Sequence, residues 1–457
     1  MTLPKHLEKF LQTEQGPVEA ERVSSSESDA EPRVRMAILN DTLGRYQVLF
    51  PDSAMVDVDR LNQSLGRELR ALSLKEIGRL RQKHQMREMA PLPAVTHFET
   101  AVDDQVASLS RIRFYSGQGD EDLVLAPEAY KALLGRVHWF PFTRALTDIP
   151  VNVHAPEQDE AQLRSALKNF TGLRIRQRLD DTREIPPLPE TAQRILHLRM
   201  NPNAEIGQLA DIVEADPSLA AQVVSWASSS FYAAQTPVKS IYDAIQRVLG
   251  FDLVMNLAMG LALGRTLEQP RDQAEGYVGY WTQAIWMAQA TSVIIAMMPR
   301  RERPVFGLAY LGGLLHNFGY LVLAHVFPPH FSIMCRYTEV NRHVDNCYVE
   351  HHLLGITREQ IGGTLMDLWN MPDEVTAAIR HQKNPDYQGE HAIYANSLYL
   401  ARALLIERGI PLGPPMSVPE SLYQRLNLSP ERLGEELDVL VENADSVRSM
   451  AGMLSSA

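Results

Sequence analysis

Cysteine is almost absent from this chain, with only Cys335 and Cys347 among 457 residues. Their spacing fits neither a disulfide framework nor a metal-binding motif, so we predict two free thiols in a reducing compartment. The longest apolar stretch we identify, Leu253–Leu263, is shorter than the roughly 20 residues that a membrane span needs. The first residues are charged and lack the pattern of a secretory signal. Together these absences predict a cytoplasmic protein.

Positive charge is also in deficit, because 44 Lys and Arg residues face 56 Asp and Glu, giving a net charge of −12. Wrapping by nucleic acid is disfavoured, since binding to phosphates requires clustered cations. One local exception is a run of seven basic residues: Arg67, Arg70, Lys75, Arg79, Arg81, Lys83 and Arg87. The pattern favours a solvated helix face, and contact with tRNA is the alternative.

The length predicts more than one domain. We divide the chain into an N-terminal helix (Leu3–Leu11) with a polar linker, an α/β (α+β) domain, a connecting helix, an all-helical domain, and a Pro/Gly linker with a C-terminal helix, Leu433–Met453. The corresponding residues are 1–33, 34–155, 156–182, 183–410 and 411–457.

The first domain shows alternating strand and helix patterns. The predicted strands are Val34–Leu39, Tyr46–Phe50, Ala94–Val102, Ile112–Tyr115 and Asp122–Leu125, and the predicted helices are Val58–Leu65 and Leu74–His84. In the second domain the apolar period is helical, and Asp216-Pro217, Thr357 with Gln360, and Ser429-Pro430 are helix start signals.

Several ordered motifs of the helical domain carry a family resemblance. They are Ile185-Pro-Pro-Leu-Pro-Glu-Thr-Ala192, Asp211-Ile-Val-Glu-Ala-Asp-Pro-Ser-Leu219, Ala227-Ser-Ser-Ser-Phe-Tyr232, Ser240-Ile-Tyr-Asp-Ala-Ile245 and Leu249-Gly250. This series resembles the HDOD family, a degenerate relative of the HD and HD-GYP metal-dependent phosphohydrolases. The resemblance covers residues 183 to 405 and implies an all-α fold associated with bacterial signalling.

The resemblance implies a metal-ligand set that this chain has largely lost. An active HD enzyme needs several His and Asp side chains that converge on a metal and activate water. At the matching positions this sequence has Gln283, His316, Asn317, Arg358, Gln382, Lys383 and Asn396. Only His316 keeps the expected residue type.

These replacements predict a degenerate site without metal or cofactor. Gln and Asn are weak ligands, and Arg358 and Lys383 would repel a dication at short range. His316 is then expected to be a hydrogen-bonded core histidine. Two alternatives are a rerouted metal site built from other nearby histidines, and a cavity in which Arg358 and Lys383 hold an anion. The simpler alternative to that cavity places both cations on helix surfaces.

A second resemblance concerns residues 34 to about 140. It rests on Asp57-Val-Asp-Arg-Leu61, Leu65-Gly66, Met89-Ala-Pro-Leu-Pro93 and Thr100-Ala-Val-Asp-Asp104. These motifs are similar to the YbaK and prolyl-tRNA-synthetase-associated editing family, which deacylates mischarged tRNA.

The second resemblance implies candidate catalytic positions that have also changed. The family's strand lysine matches Arg35, and its Gly-x-x-x-Pro loop matches Arg87-Glu-Met-Ala-Pro91. Arginine does not readily give up its proton, and Arg87 stands where glycine would permit close backbone approach. Arg35, Arg87 and Pro91 are therefore weak deacylase candidates.

The leading functional prediction is a non-enzymatic bacterial signal-transduction or scaffold protein that binds protein partners. The alternative is an aminoacyl-tRNA deacylase regulated by the HDOD domain. If the chain has an activity, we expect deacylation rather than phosphohydrolysis.

Overall fold

The computed structural model describes residues 7–13, 16–25, 32–117, 120–177, 187–229, 232, 237–267 and 269–455. The chain forms two compact units. The N-terminal unit comprises Met1–Pro150, Ala274–Gly276 and Ser332–His352. The helical unit comprises Val151–Gln273, Tyr277–Phe331 and Leu353–Ala457.

All strands of the described residues belong to the N-terminal unit. In chain order they are β1 (Gln12–Thr13), β2 (Gly16–Pro17), β3 (Glu21–Ser24), β4 (Val34–Asp41), β5 (Gly44–Pro51), β6 (Ala54–Val56), β7 (Arg70–Ala71), β8 (Glu99–Val102), β9 (Ile112–Tyr115), β10 (Glu121–Leu125), β11 (His138–Trp139) and β12 (Thr143–Ala145).

The helices before residue 150 are α1 (Val58–Leu65), α2 (Leu74–His84), α3 (Pro93–Thr96) and α4 (Pro127–Leu134). Those that follow are α5 (Asp159–Gln177), α6 (Glu190–Arg199), α7 (Ile206–Glu214), α8 (Pro217–Ala227), α9 (Ile241–Asp243), α10 (Phe251–Gly264), α11 (Tyr280–Met297), α12 (Phe306–Leu315), α13 (Phe318–Val326), α14 (Pro328–Val340), α15 (Asn346–Leu354), α16 (Arg358–Leu368), α17 (Asp373–His381), α18 (Ala392–Glu407), α19 (Glu420–Arg425), α20 (Pro430–Glu442) and α21 (Ala444–Ser455). A π-helix, Ala244–Leu249, continues α9.

The main sheet of the N-terminal unit has the strand order β11-β8-β5-β4-β7. β4 and β5 form an antiparallel hairpin, whereas β8 pairs in parallel with both β5 and β11. A second, antiparallel sheet has the order β3-β10-β9. The core of this unit includes side chains from both sheets, such as Leu49 and Phe114, which are fully buried. The predicted α/β (α+β) class is therefore confirmed for this region.

Local patterns predicted many of these elements, and two predicted elements of this unit differ from the structure. Helices α1 and α2 have the predicted bounds, but only Glu99–Val102 of the predicted strand Ala94–Val102 is extended, because Pro93 starts the short helix α3. Of the predicted N-terminal helix, the described part is one 3-10 turn, Glu8–Phe10, and residues 3–6 lie outside the described residues.

The predicted polar linker is in part a strand. β3 pairs with β10, and the fully buried carboxylate of Asp122 accepts hydrogen bonds from Ser25, Arg33 and Arg113. A buried charge requires such partners. Ser25 and Arg33, on either side of residues 26–31, thus help to satisfy the charge of Asp122, and residues 26–31 lie outside the described residues.

Residues Ser332–His352, which we call the returning segment, pack within the N-terminal unit. The side chain of Asn341 accepts from the backbone N–H of Val56 at 2.7 Å and donates to its carbonyl at 3.0 Å. The hydroxyl of Tyr337 accepts from the N–H of Asp59 at 3.0 Å. The segment contains most of α14 and α15, so it is helical as the sequence predicts, but it groups with the N-terminal unit rather than with the predicted helical domain, 183–410.

The helical unit is built around helices that are apolar on nearly every side. Most residues of α10 and α11 are buried, as expected for core helices. The predicted start signals are confirmed: Asp216 caps α8, Thr357 and Gln360 form a capping box at α16, and Ser429 caps α20. The predicted C-terminal helix is two helices, α20 and α21.

One helical stretch, Phe306–Val326, is long and apolar enough to cross a membrane by length and composition, and 89% of its most apolar window is buried inside the structure. It is longer than Leu253–Leu263, so the prediction that Leu253–Leu263 is the longest apolar stretch was wrong. The stretch comprises α12 and α13, and His316 and Asn317 lie between them. Burial of this kind is also found in the core helices of soluble proteins.

Candidate functional site

His316 and Asn317 lie between two core helices of the helical unit and are buried, with exposures of 8% and 3%. The Nδ1 of His316 is 2.7 Å from the carbonyl oxygen of Gly313, so Nδ1 carries the proton of the neutral ring and donates it. Burial lowers the pKa of His316 to about 3, and Arg402 and Arg358 lower it further against the opposing effect of that hydrogen bond. The imidazole is therefore neutral near pH 7.

Asn317 connects two other positions of the degenerate site. Its Nδ2 donates to Gln283 Oε1 at 3.1 Å, and its Oδ1 accepts from Arg358 Nη1 at 2.9 Å. Arg358 also stacks over the ring of Tyr320, 4.8 Å from the centroid. The amide that replaces a ligand carboxylate is thus hydrogen-bonded to a guanidinium.

Gln382 contacts the residue next to Asn317. Its Nε2 donates to the carbonyl oxygen of His316 at 2.7 Å and to that of Ile379 at 3.0 Å. We call Gln283, His316, Asn317, Arg358 and Gln382 the histidine–asparagine group. Five of the seven positions identified from the sequence are therefore connected.

The other two positions have different partners. Lys383 forms an ion pair with Glu359, with Nζ and Oε1 4.0 Å apart, and both side chains are largely buried. Asn396 donates from Nδ2 to the carbonyl of Tyr387 at 3.2 Å, and its buried Oδ1 accepts no hydrogen bond from the residues that the structure describes. The positive charge of Lys383 is therefore balanced by a neighbouring carboxylate.

Close helix packing brings Arg358 to Asn317. At Gly319, in the first turn of α13, any Cβ would overlap the carbonyl oxygen of Arg358. Only glycine allows this approach. At Gly363, on α16, a Cβ would lie 2.9 Å from the Cβ of Arg380 on α17. Small residues thus set the spacing of the helices that carry the group.

A buried polar cluster near the group was missed in the sequence. Asp159, at the start of α5, forms an ion pair with Arg380 and accepts from Gln360 Nε2 at 2.8 Å and Asn152 Nδ2 at 3.0 Å. We call Asn152, Asp159, Gln360 and Arg380 the anchor cluster. Asp159 lies in an acidic run typical of exposed linkers, and the capping residue Gln360 was the one local signal.

No three His, Cys, Asp or Glu side chains among the described residues converge in a way that could hold a metal ion. The side chains of the histidine–asparagine group are two amides of glutamine, one of asparagine, a guanidinium and one neutral imidazole. This set offers a single good nitrogen ligand, whereas zinc sites commonly use three or four. The residues present therefore do not fit the metal of an active HD site.

The three deacylase candidates of the N-terminal unit have separate partners. Arg35 forms an ion pair with Glu88 at 2.8 Å. Arg87 is 77% exposed and lies 3.5 Å from Asp120. The carbonyl oxygen of Pro91 accepts from the hydroxyl of Tyr130 at 2.6 Å.

The seven basic residues do not form one continuous patch. Arg67 is bound by Asp41 through two hydrogen bonds of 2.8 and 2.6 Å, and the guanidinium lowers the pKa of Asp41 to about 2. Arg81 is half-buried. Lys75, Arg79 and Lys83 are exposed and recur every four residues along α2, so they share one face. Of the seven basic residues, Lys75, Arg79 and Lys83 therefore form an exposed stripe, and Arg70 and Arg87 are exposed outside it.

The fold and the site define an all-helical domain with a buried, neutral histidine between two of its core helices. Residues 185–385 match the HDOD domain model. The chain is also similar to a crystal structure of a protein from Marinobacter aquaeolei VT8 that is assigned provisionally to signal transduction. The two sequences are 49% identical and the TM-score is 0.91. The match covers 99% of this chain and 100% of that one. The chain therefore contains an HDOD domain at residues 185–385, as the sequence predicted.

Two further similarities are weaker. An HDOD domain protein of unknown function from Geobacter sulfurreducens is 21% identical, with a TM-score of 0.49, over 65% of this chain and 97% of that one. An uncharacterized protein from Treponema pallidum (strain Nichols) is 24% identical over 219 residues, which is 46% of this chain. The match spans only 39% of the length of that relative.

Proposed function

We propose that this protein is a non-enzymatic, cytoplasmic bacterial signal-transduction scaffold whose HDOD domain contains a metal-free remnant of an HD-type site. Its partners are proteins of a signalling pathway. The observation that carries the proposal is the hydrogen bond from Arg358 to Asn317, which puts a fixed positive charge at a position where an HD enzyme would need a ligand for a dication.

The electrostatic argument favours binding without metal chemistry. Two charges at about 4 Å interact with about 4 kcal/mol at an effective dielectric constant near 20. A dication beside Arg358 would meet repulsion of this order or more, without a carboxylate in the group to offset it. The 49% identical relative, which is assigned provisionally to signal transduction, also supports a signalling role.

We propose that the N-terminal unit is an editing-type module of YbaK-like ancestry that has lost its activity. Deacylation of aminoacyl-tRNA, the alternative function, gains no support from the comparisons. Engagement of Arg35 by Glu88 also favours an inactive module, because a guanidinium held by a carboxylate is a poor proton donor.

A tRNA contact through the exposed stripe of Lys75, Arg79 and Lys83 is a proposal of lower rank. Three cations on one helix face are few for phosphate binding, and affinity that rests on them would fall steeply with salt. Salt-dependent binding lost in a Lys75→Gln/Arg79→Gln/Lys83→Gln variant is the result that supports it.

The test of the main proposal combines metal analysis with an activity assay on the purified full chain. We expect substoichiometric iron, manganese and zinc by elemental analysis, and no hydrolysis of cyclic dinucleotides or of bis-p-nitrophenyl phosphate after addition of these metals. The physical reason is the single imidazole ligand beside a guanidinium.

The contrary result is stoichiometric metal together with phosphodiesterase turnover. The turnover must disappear in His316→Ala and persist in His391→Ala, whose ring is partly exposed and lies outside the histidine–asparagine group. That pattern would overturn the scaffold proposal.

A further inference from the structure

A cavity of about 140 Å³ lies within the N-terminal unit. Its walls are formed by β4, by the buried side of α2 and by residues 339–343 of the returning segment. It is therefore built from parts of the chain about 300 residues apart in sequence. Its lining includes Arg35, one of the three deacylase candidates, but the proposed scaffold function assigns the cavity no role.

The charged side chains that line the cavity are three arginines, Arg35, Arg81 and Arg342, and two glutamates, Glu88 and Glu339. Both glutamates are already paired. Glu88 binds Arg35 at 2.8 Å, and Glu339 accepts from the backbone N–H of Glu275 at 2.8 Å and pairs with Arg336, which is not a lining residue, at 3.2 Å. The lining thus carries one more positive than negative charge.

Arg81 is the informative member of this set. Its Nε is buried and forms no hydrogen bond with any residue in the described part of the chain. A buried charged donor without an acceptor is costly, because its lost hydration is not replaced. An unpaired, buried guanidinium nitrogen of this kind indicates that a bound ligand supplies the acceptor.

The rest of the lining is apolar. Met36, Ile38, Phe50 and Ile77 contribute most of its hydrocarbon surface. His343 adds an uncharged wall, because burial first and Arg35 second lower its pKa to about 4, and its Nε2–H donates to the carbonyl of Ala54 at 2.9 Å. The cavity therefore has a cationic end and an apolar body.

We propose that this cavity binds a small organic anion, with its carboxylate or phosphate group on Arg81 and its apolar part against Met36, Ile38 and Phe50. An engineered cavity of about 150 Å³ binds benzene, so a ligand of about six non-hydrogen atoms fits. Charge-assisted hydrogen bonds to the guanidinium hold the head group. The site is independent of the histidine–asparagine group, and its failure would leave the scaffold proposal intact.

The test is isothermal titration of the full chain with butyrate, with its uncharged isostere butyramide and with inorganic phosphate. We expect saturable binding of butyrate that is at least about tenfold tighter than that of butyramide, the order expected for loss of one charged hydrogen bond. The relative affinities of butyrate and phosphate identify the preferred head group.

Two variants on the same helix provide the control. Arg81→Gln should weaken butyrate about tenfold, whereas Arg79→Gln, which removes an equal charge from the exposed face of α2, should leave it unchanged. Arg81→Lys, which keeps the charge, should bind butyrate more tightly than Arg81→Gln does. It therefore shows whether the loss in Arg81→Gln comes from the charge or from a folding defect. Absence of saturable anion binding, equal binding of butyramide, or equal losses in both variants would overturn the proposal.

Discussion

His316 shows how the protonation of one residue couples to the stability of the fold. Its pKa of about 3 in the folded protein lies below its ordinary value of 6.5. Between these values the unfolded chain binds a proton that the folded chain does not. The stabilisation associated with the neutral imidazole is therefore fully present above about pH 6.5 and is lost as the pH falls toward 3.

This coupling predicts a difference in pH dependence between the wild type and His316→Gln. From pH 6.5 to 4.5 the wild type should lose about 2 kcal/mol more unfolding free energy than the variant, since one pKa unit corresponds to about 1.4 kcal/mol. Urea denaturation at both pH values measures it. His391→Gln serves as the control, and parallel pH profiles for wild type and His316→Gln would contradict the assignment.

At the scale of secondary-structure elements, the anchor cluster joins the start of α5 to α16 and α17. Helix α16 begins at Arg358, and Gln382 directly follows α17. A buried ion pair becomes strongly destabilising when one partner is removed, because the other charge remains buried. The cluster should therefore contribute to holding the histidine–asparagine group in place.

Asp159→Ala should lower the unfolding free energy by about 3 to 5 kcal/mol, because it leaves Arg380 buried without its partner. Glu160→Ala, at the next position, removes an exposed pair with Arg164 and should change stability by about 0.5 kcal/mol or less. Urea unfolding of both variants measures the difference. Equal losses would show that the buried position of Asp159 does not matter.

Local sequence signals predicted the elements well, whereas they missed many contacts between them. Asp216-Pro217 and the Thr357–Gln360 pair specify helix starts through hydrogen bonds to residues three positions away, so the signal is contained in a short segment. The bond between Gln360 and Asp159 joins residues about 200 positions apart. No local pattern distinguishes an acidic residue that will be buried there from its exposed neighbour Glu160.

For the candidate site, too, the sequence predicted the positions but not all of the contacts between them. The family motifs identified the seven positions. Hydrogen bonds join Gln283, Asn317 and Arg358, and another joins Gln382 to the adjacent residue His316. The ion pair of Lys383 with Glu359 could not be foreseen, because it depends on how α16 and α17 pack. The strand formed by Glu21–Ser24 was missed for a related reason, since its partner strand lies about 100 residues further along the chain.

At the scale of the whole molecule, the returning segment makes the N-terminal unit depend on a distant part of the chain. Asn341→Ala should destabilise this unit by about 2 kcal/mol, because the buried N–H and carbonyl of Val56 would lose their partner. Hydrogen exchange at the Val56 amide and urea unfolding measure the effect.

Asn346→Ala is the matched control in the same segment. Its Oδ1 accepts no hydrogen bond from the described residues, so the change should be within about 0.5 kcal/mol. If Val56 remains as protected in Asn341→Ala as in this control, the returning segment does not stabilise β6.

The polypeptide passes between the two units at five points, after residues 150, 273, 276, 331 and 352. A proteolytic cut at the first of these would not free an N-terminal domain, because residues 332–352 would still belong to the other fragment. The two fragments would behave as a split protein, because the strand-rich fragment 1–150 would still need residues 332–352 of the other fragment. Exchange of the N-terminal region between proteins would therefore require two insertions at separate places rather than one fusion.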